Sequence, residues 1–214
     1  MHDNKLYQRM VSFEQFVRAT LEKGGSINTL FEERLFAMVG MLERIAVPLA
    51  EAGIPYEVIG GMAVMVHVNR IEPSAVRNTK DIDIMVDRAD LRRIQDVAAK
   101  HGFNFRHVSG VDMLLPEGET KARNAVHLVF SGEKVKETQA VPNPPLAPEF
   151  VAIHGVEVAV IPVADLVRMK LSNNRDIDRV HVRDMDEVGL VTAEVEAALP
   201  AVLRERLAEL REPE

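Results

Sequence analysis

Residues 56–87 read YEVIGGMAVMVHVNRIEPSAVRNTKDIDIMVD, and their order decides the fold. A short apolar run, Tyr56 to Ile59, meets the pair Gly60-Gly61. An amphipathic segment follows, then a polar loop carrying Arg77, Thr79 and Lys80, then Asp81-Ile-Asp83-Ile. The last piece alternates with period two: Asp81, Asp83 and Met85 fall on one face of a strand, and Ile82, Ile84 and Val86 on the other. Two carboxylates then point the same way, roughly 6.5–7 Å apart at the backbone. Like charges this close repel unless a cation lies between them, so Asp81 and Asp83 are candidate ligands for Mg2+ or Mn2+. With a strand ending at Gly60 and a helix beginning near Gly61, bare backbone N–H groups and the helix dipole face whatever lies above them, a place suited to polyphosphate.

The wording GGMAVMVH followed by R-x-T-K-D-I-D-I resembles the nucleotidyltransferase fold of the DNA polymerase beta superfamily, and within it the small bacterial nucleotidyltransferases, including those acting as toxins or antitoxins. The resemblance runs from about Tyr56 to Thr192. It implies an α+β fold with a mixed β-sheet flanked by helices, and Gly60, Gly61, Arg77, Thr79, Lys80 and Lys170 as the residues that hold the nucleotide. Two departures stand out. Nineteen residues separate Gly61 from Asp81, longer than the family's interval, which places an insertion around Asn69–Val76. The family's third carboxylate sits on a later strand, and the matching strand here, Asn124 to Phe130, offers Val126-His127-Leu128-Val129 instead. A neutral imidazole is a poor Mg2+ ligand and brings no negative charge. His127 is therefore a catalytic base, a change of metal preference, the mark of a weakened site, or simply a hydrogen-bonded histidine. Glu133, just beyond that strand, is a candidate substitute acid.

The whole chain narrows the choices. Its 214 residues make one domain with helical appendages: residues 1–53 as an N-terminal helical element, 54–161 as the nucleotidyltransferase core and 162–214 as a C-terminal helical element. No long apolar run and no signal-peptide pattern occurs, so a cytoplasmic protein without a membrane partner is expected. The absence of cysteine excludes thiolate catalysis and Cys-ligated zinc. A net charge of −7 argues against generic nucleic-acid binding, which depends on neutralising phosphates.

Outside the opening stretch, periodicity predicts a helix within residues 5–22 and another over about Thr29–Ala52, capped by Asn28 or Thr29 and kinked or ended by Pro48. Arg88–Lys100 is expected to be a helix capped by Asp87, and Phe103–Val108 and Val111–Leu115 a hairpin turning at Ser109-Gly110. The proline-rich stretch 138–148 is expected to be a surface loop or lid, 151–153 and 156–161 the last strands. A helix follows from Pro162, with Leu166, Val167, Met169 and Leu171 inward. Asp176-Ile-Asp178 repeats the DxD spelling, but residues two apart on a helix diverge, so it is read as no second metal site. In the resemblance, the lysine and arginine of this C-terminal element face the nucleotide while its aspartates organise them. A terminal amphipathic segment, 192–211, broken at Pro200, packs on the domain or pairs with a second copy or a partner protein.

The expected function is metal-dependent transfer of a nucleoside monophosphate from an NTP to a hydroxyl of a small molecule, a protein or an RNA end. The alternative is a catalytically degenerate relative acting as a nucleotide-binding or toxin–antitoxin interaction module.

Overall fold

The structure is a computed structural model that describes residues 25–75, 77, 79, 81–121, 124–153 and 156–212. The helix expected within 5–22 and the candidate Lys80 lie outside the described residues. The elements, in order, are α1 (Gly25–Glu51), β1 (Tyr56–Ile59), α2 (Gly60–Ile71), β2 (Ile82–Val86), α3 (Leu91–Lys100), β3 (Phe103–Val108), β4 (Val111–Pro116), β5 (Val126–Phe130), β6 (Glu149–Ile153), β7 (Val156–Val160), α4 (Val163–Asn173), α5 (Asp176–Glu187), α6 (Ala193–Ala198) and α7 (Ala201–Arg211).

The strands form one seven-stranded sheet in the order β3-β4-β5-β2-β1-β7-β6. Strand β2 runs parallel to β5 and β1 parallel to β7, while the remaining pairs are antiparallel, so the sheet is mixed. Its centre is covered on both faces: on β1, Glu57 and Val58 point to opposite sides and both have no exposed surface. Ile82, Ile84, Val86, Val126, Val158 and Val160 complete this buried middle. The helices gather in two groups, α1 with α3, and α2 with α4 and α5, the last two also carrying α7. Among the described residues no helix is long and apolar enough to cross a membrane.

Several local expectations hold. The β3–β4 turn has positive φ at both Ser109 and Gly110, the geometry a two-residue hairpin needs to match strand twist. Pro162 precedes α4, whose Leu166, Val167, Met169 and Leu171 are buried, and Pro200 separates α6 from α7.

Others need correction. Pro48 lies inside α1, which continues to Glu51; so near the end a missing N–H costs one helical bond, and buried Ile45, Ala46 and Leu49 hold the turns on either side. The same helix already runs at Gly25, so neither Asn28 nor Thr29 caps it. Asp87 does not cap α3 either. A 3-10 turn, Arg88–Asp90, intervenes, and the Asp87 carboxylate accepts from the Ser131 hydroxyl instead.

The proline-rich stretch is no free lid. Asn143 donates from Nδ2 to the Phe130 carbonyl at 2.9 Å, Gln139 donates to Asn143 Oδ1 at 2.9 Å, and Ser172 Oγ both receives the Val141 N–H and donates to the Val141 carbonyl. Farther along, the Ala147 N–H donates to Glu57 Oε1. Prolines stiffen this stretch, and buried amides fix it to β5, α4 and β1.

Glu57 is fully buried, and its other oxygen, Oε2, has no hydrogen-bond partner among the described residues. Burial pushes its carboxyl up to about 7, with the negative charge of Asp165 adding to the shift and the Ala147 N–H opposing it. A carboxyl raised on folding is protonated more in the native state than in the unfolded chain between the two titrations. Stability is therefore fullest below the ordinary glutamate range and falls as pH rises through about 7. Glu57→Gln keeps the oxygen that accepts the Ala147 N–H and removes the charge. Urea denaturation at pH 8 should show the variant more stable than the native chain by on the order of 3 kcal/mol, with the gap closing toward pH 5.

Candidate active site

Register builds the site. Ile59 pairs with Asp83 across β1 and β2, and Asp83 pairs with His127 across β2 and β5, so the three side chains stand abreast on one face of the sheet. His127 Nδ1 lies 3.2 Å from Asp83 Oδ1. Asp81 immediately precedes β2 and is exposed.

Gly60 and Gly61 begin α2 directly at the end of β1, and Ile59 before them carries no oxygen with which to cap the helix. Gly60 has φ +70, and a Cβ there would collide with the Asp83 carboxylate. The missing side chain is thus what lets Asp83 sit against the strand-to-helix turn. A Cβ on Gly61 would come within 2.5 Å of Thr79 Oγ1, so Thr79 lies on the helix start. The loop before β2 is held by Arg77, whose Nε donates to Asp184 Oδ2 of α5 at 2.6 Å. That hydrogen bond and the charge of Asp184 raise the guanidinium above its ordinary range. Arg77 therefore ties the loop to α5 in addition to bringing a positive charge.

The second half of the site comes from α4 and α5, the C-terminal element whose lysine, arginine and aspartates the resemblance places around the nucleotide. Lys170 is 5% exposed and donates from Nζ to Asp178 Oδ1 at 3.1 Å. Asp178, with no exposed surface, also receives Arg175 Nε at 2.6 Å, Arg175 Nη2 at 3.1 Å and the Arg175 backbone N–H at 3.3 Å. Burial by itself would raise the Asp178 carboxyl; Arg175 and Lys170 outweigh it and hold it below the ordinary carboxylate range. Burial lowers the Lys170 ammonium, against the pull of Asp178 and Asp83. The Asp83 charge acts on both Lys170 and Arg175, and that of Asp81 on Arg175, so both cations lie within electrostatic reach of the aspartates.

The second DxD diverges as expected, with Asp178 buried and Asp176 exposed. Sequence reading gave no role to His181, which is 7% exposed beside Gly61. The available signal was spacing: Asp178, His181 and Asp184 recur every three residues on the face that also buries Val182 and Met185. Glu133, the candidate substitute acid, is instead engaged by Arg88 through contacts of 2.5 and 2.7 Å.

Among the described residues, no three carboxylate or imidazole groups converge as a metal cage. Two aspartates of hard oxygen chemistry do fit Mg2+ or Mn2+ in another way: such ions are commonly held by one or two carboxylates, with water and substrate phosphates supplying the remaining ligands.

Comparison with known proteins agrees with this architecture. Residues 9–167 match a protein family described as uncharacterised nucleotidyltransferase. No curated protein matches the sequence. The fold is similar to that of the antibiotic-resistance factor ANT(2'')-Ia in solution, with TM-score 0.54, 15% identity, and 81% of this chain and 94% of that one covered. It is similar to the crystal structure of ANT(2'')-Ia with adenylyl-2''-tobramycin, with TM-score 0.53, 14% identity, and 80% and 98% covered. It also resembles an antigenic nucleotidyltransferase-like protein from Paracoccidioides brasiliensis, with TM-score 0.52, 16% identity, and 80% and 85% covered.

Two substitutions test this geometry. Asp178→Asn leaves Lys170 buried without its carboxylate and should destabilise the chain by about 3–5 kcal/mol in chemical denaturation. Gly60→Ala imposes positive-φ strain of about 1–2 kcal/mol and also forces Asp83 aside, so any metal-dependent nucleotide binding should be lost even at temperatures where the variant remains folded.

Proposed function

The chain belongs to the uncharacterised nucleotidyltransferase family, and on that premise we propose that it transfers a nucleoside monophosphate from an NTP to a hydroxyl acceptor. The observation that carries this reading is the row Ile59, Asp83, His127 beside Gly60, within electrostatic reach of the two cations that Asp178 holds. Asp81 and Asp83 would hold Mg2+ or Mn2+, which when bound offsets charge on the triphosphate and polarises the phosphoryl group. The N–H groups at the start of α2 receive phosphate oxygens, while Lys170 and Arg175 supply fixed positive charge. Arg77 and Thr79 belong to the loop beside the same helix start, and Lys80, one residue before Asp81, would add a positive charge for the phosphates.

An acceptor hydroxyl held beside His127 attacks the α-phosphorus. A new phosphorus–oxygen bond forms, the bond to the β-phosphate oxygen breaks, pyrophosphate leaves, and the hydroxyl proton is released. Our preferred acceptor is a cationic polyhydroxylated small molecule. A net charge of −7 favours it over RNA, and a similarly folded protein is known with an adenylylated tobramycin. His127 at the place of the third carboxylate supports a second reading, a nucleotide-binding module without turnover that acts in the cytoplasm, as in a toxin–antitoxin pair, on a second copy or a partner protein through its terminal helices.

Thermal denaturation with each of the four NTPs, with and without Mg2+ or Mn2+, tests the proposal on the native chain and on an Asp81→Asn/Asp83→Asn variant. A ligand at 100 times its Kd stabilises the folded state by about 2.7 kcal/mol. A metal-dependent rise with at least one NTP, absent in the variant, is the expected result and selects the donor for an acceptor screen with pyrophosphate release as readout. Binding without release for any acceptor favours the module, and no shift with any nucleotide overturns both readings.

A further inference from the structure

His181 is placed where the glycine pair, Thr79 and α5 meet, and among the described residues nothing hydrogen-bonds to its Nδ1. The ring is 93% buried by its residual 7% exposure, and its Cε1 lies 3.6 Å from the position of a Cβ on Gly61. Its Nδ1, bonded to that carbon, is buried and has no hydrogen-bond partner among the described residues. A buried polar nitrogen left unpaired costs stability, and an apolar residue would fill the same space without that cost. Here the orphan nitrogen stands next to the uncapped start of a 12-residue helix, where backbone N–H groups also lack intrahelical acceptors. Burial, reinforced by Lys170 and Arg175 and opposed by Asp178 and Asp184, keeps the imidazole down at about 4. At physiological pH it is neutral, with one N–H to give and no charge to bury.

We propose that His181 is a phosphate-reading residue, its Nδ1–H donating to a phosphoryl oxygen of the nucleoside triphosphate seated on the start of α2. The inference rests on the nucleotidyltransferase reading and extends it to one residue. The cations Lys170 and Arg175 attract the polyphosphate over a distance; the neutral imidazole adds a directional contact at short range. Thr79, in contact with the same glycine, borders the position the oxygen takes.

The test uses inorganic triphosphate with Mg2+ as the probe, titrated calorimetrically into the native chain, His181→Leu and His181→Asn, with melting of each ligand-free protein in parallel. Asparagine places its side-chain amide near the position of Nδ1, whereas leucine fills the space without a donor. His181→Leu should bind about tenfold more weakly or worse, and His181→Asn within about threefold of native. Ligand-free His181→Leu should melt no lower than the native chain, because no native hydrogen bond to Nδ1 is lost. Equal affinity in all three proteins, loss in the asparagine variant as large as in leucine, or a fall in the ligand-free melting temperature of His181→Leu would each overturn the inference while leaving transfer intact. Failure of the native chain itself to bind triphosphate would overturn the inference together with the proposed function, and this outcome is recognisable before any variant is made.

Discussion

A single carboxylate with no exposed surface holds the helical half of the candidate site together. Asp178 takes hydrogen bonds from Lys170 on α4 and from Arg175 at the start of α5, and so fixes the angle at which the helices meet as well as the direction of both cations. Desolvating the buried Lys170–Asp178 pair is expensive, and replacing such a pair by apolar side chains is often neutral or stabilising. What the cluster provides is placement. Two cations held near Asp81 and Asp83 offset part of the negative charge of that aspartate pair, on a chain whose net charge is −7.

The sheet half of the site was readable from residue order because its periodicity is local. Period two along Asp81–Val86 and the glycine pair after Ile59 each specify geometry within a few residues, and the Asp83–His127 adjacency follows once β2 and β5 pair in register. The helical half was not equally readable. Residues 175–186 look like a solvated, charged helix, and nothing within them shows that Asp178, His181 and Asp184 face inward. Their burial comes from the docking of α5 on α2 and α4, a tertiary fact.

The same distinction explains the smaller misreadings. Asp87 has the right chemistry and position for a helix cap, but Ser131, 44 residues later, claims its carboxylate. Pro48 breaks helices in general, yet two buried turns carry α1 through it. Prolines in 138–148 correctly exclude helix, and the stretch is a loop as expected, but Gln139 and Asn143 fix it through bonds to each other, to the Val135 N–H and to the Phe130 carbonyl of β5. Local chemistry sets what a residue is able to do; long-range partners decide which of those things it does.

The placement of His127 has a consequence for the history of this site. Because it pairs in register with Asp83, whatever residue occupies position 127 projects onto the same face beside the same carboxylate. A histidine codon becomes an aspartate codon by changing one base. The backbone therefore keeps the two chemical states of this position one genetic step apart, with no intermediate that has to refold.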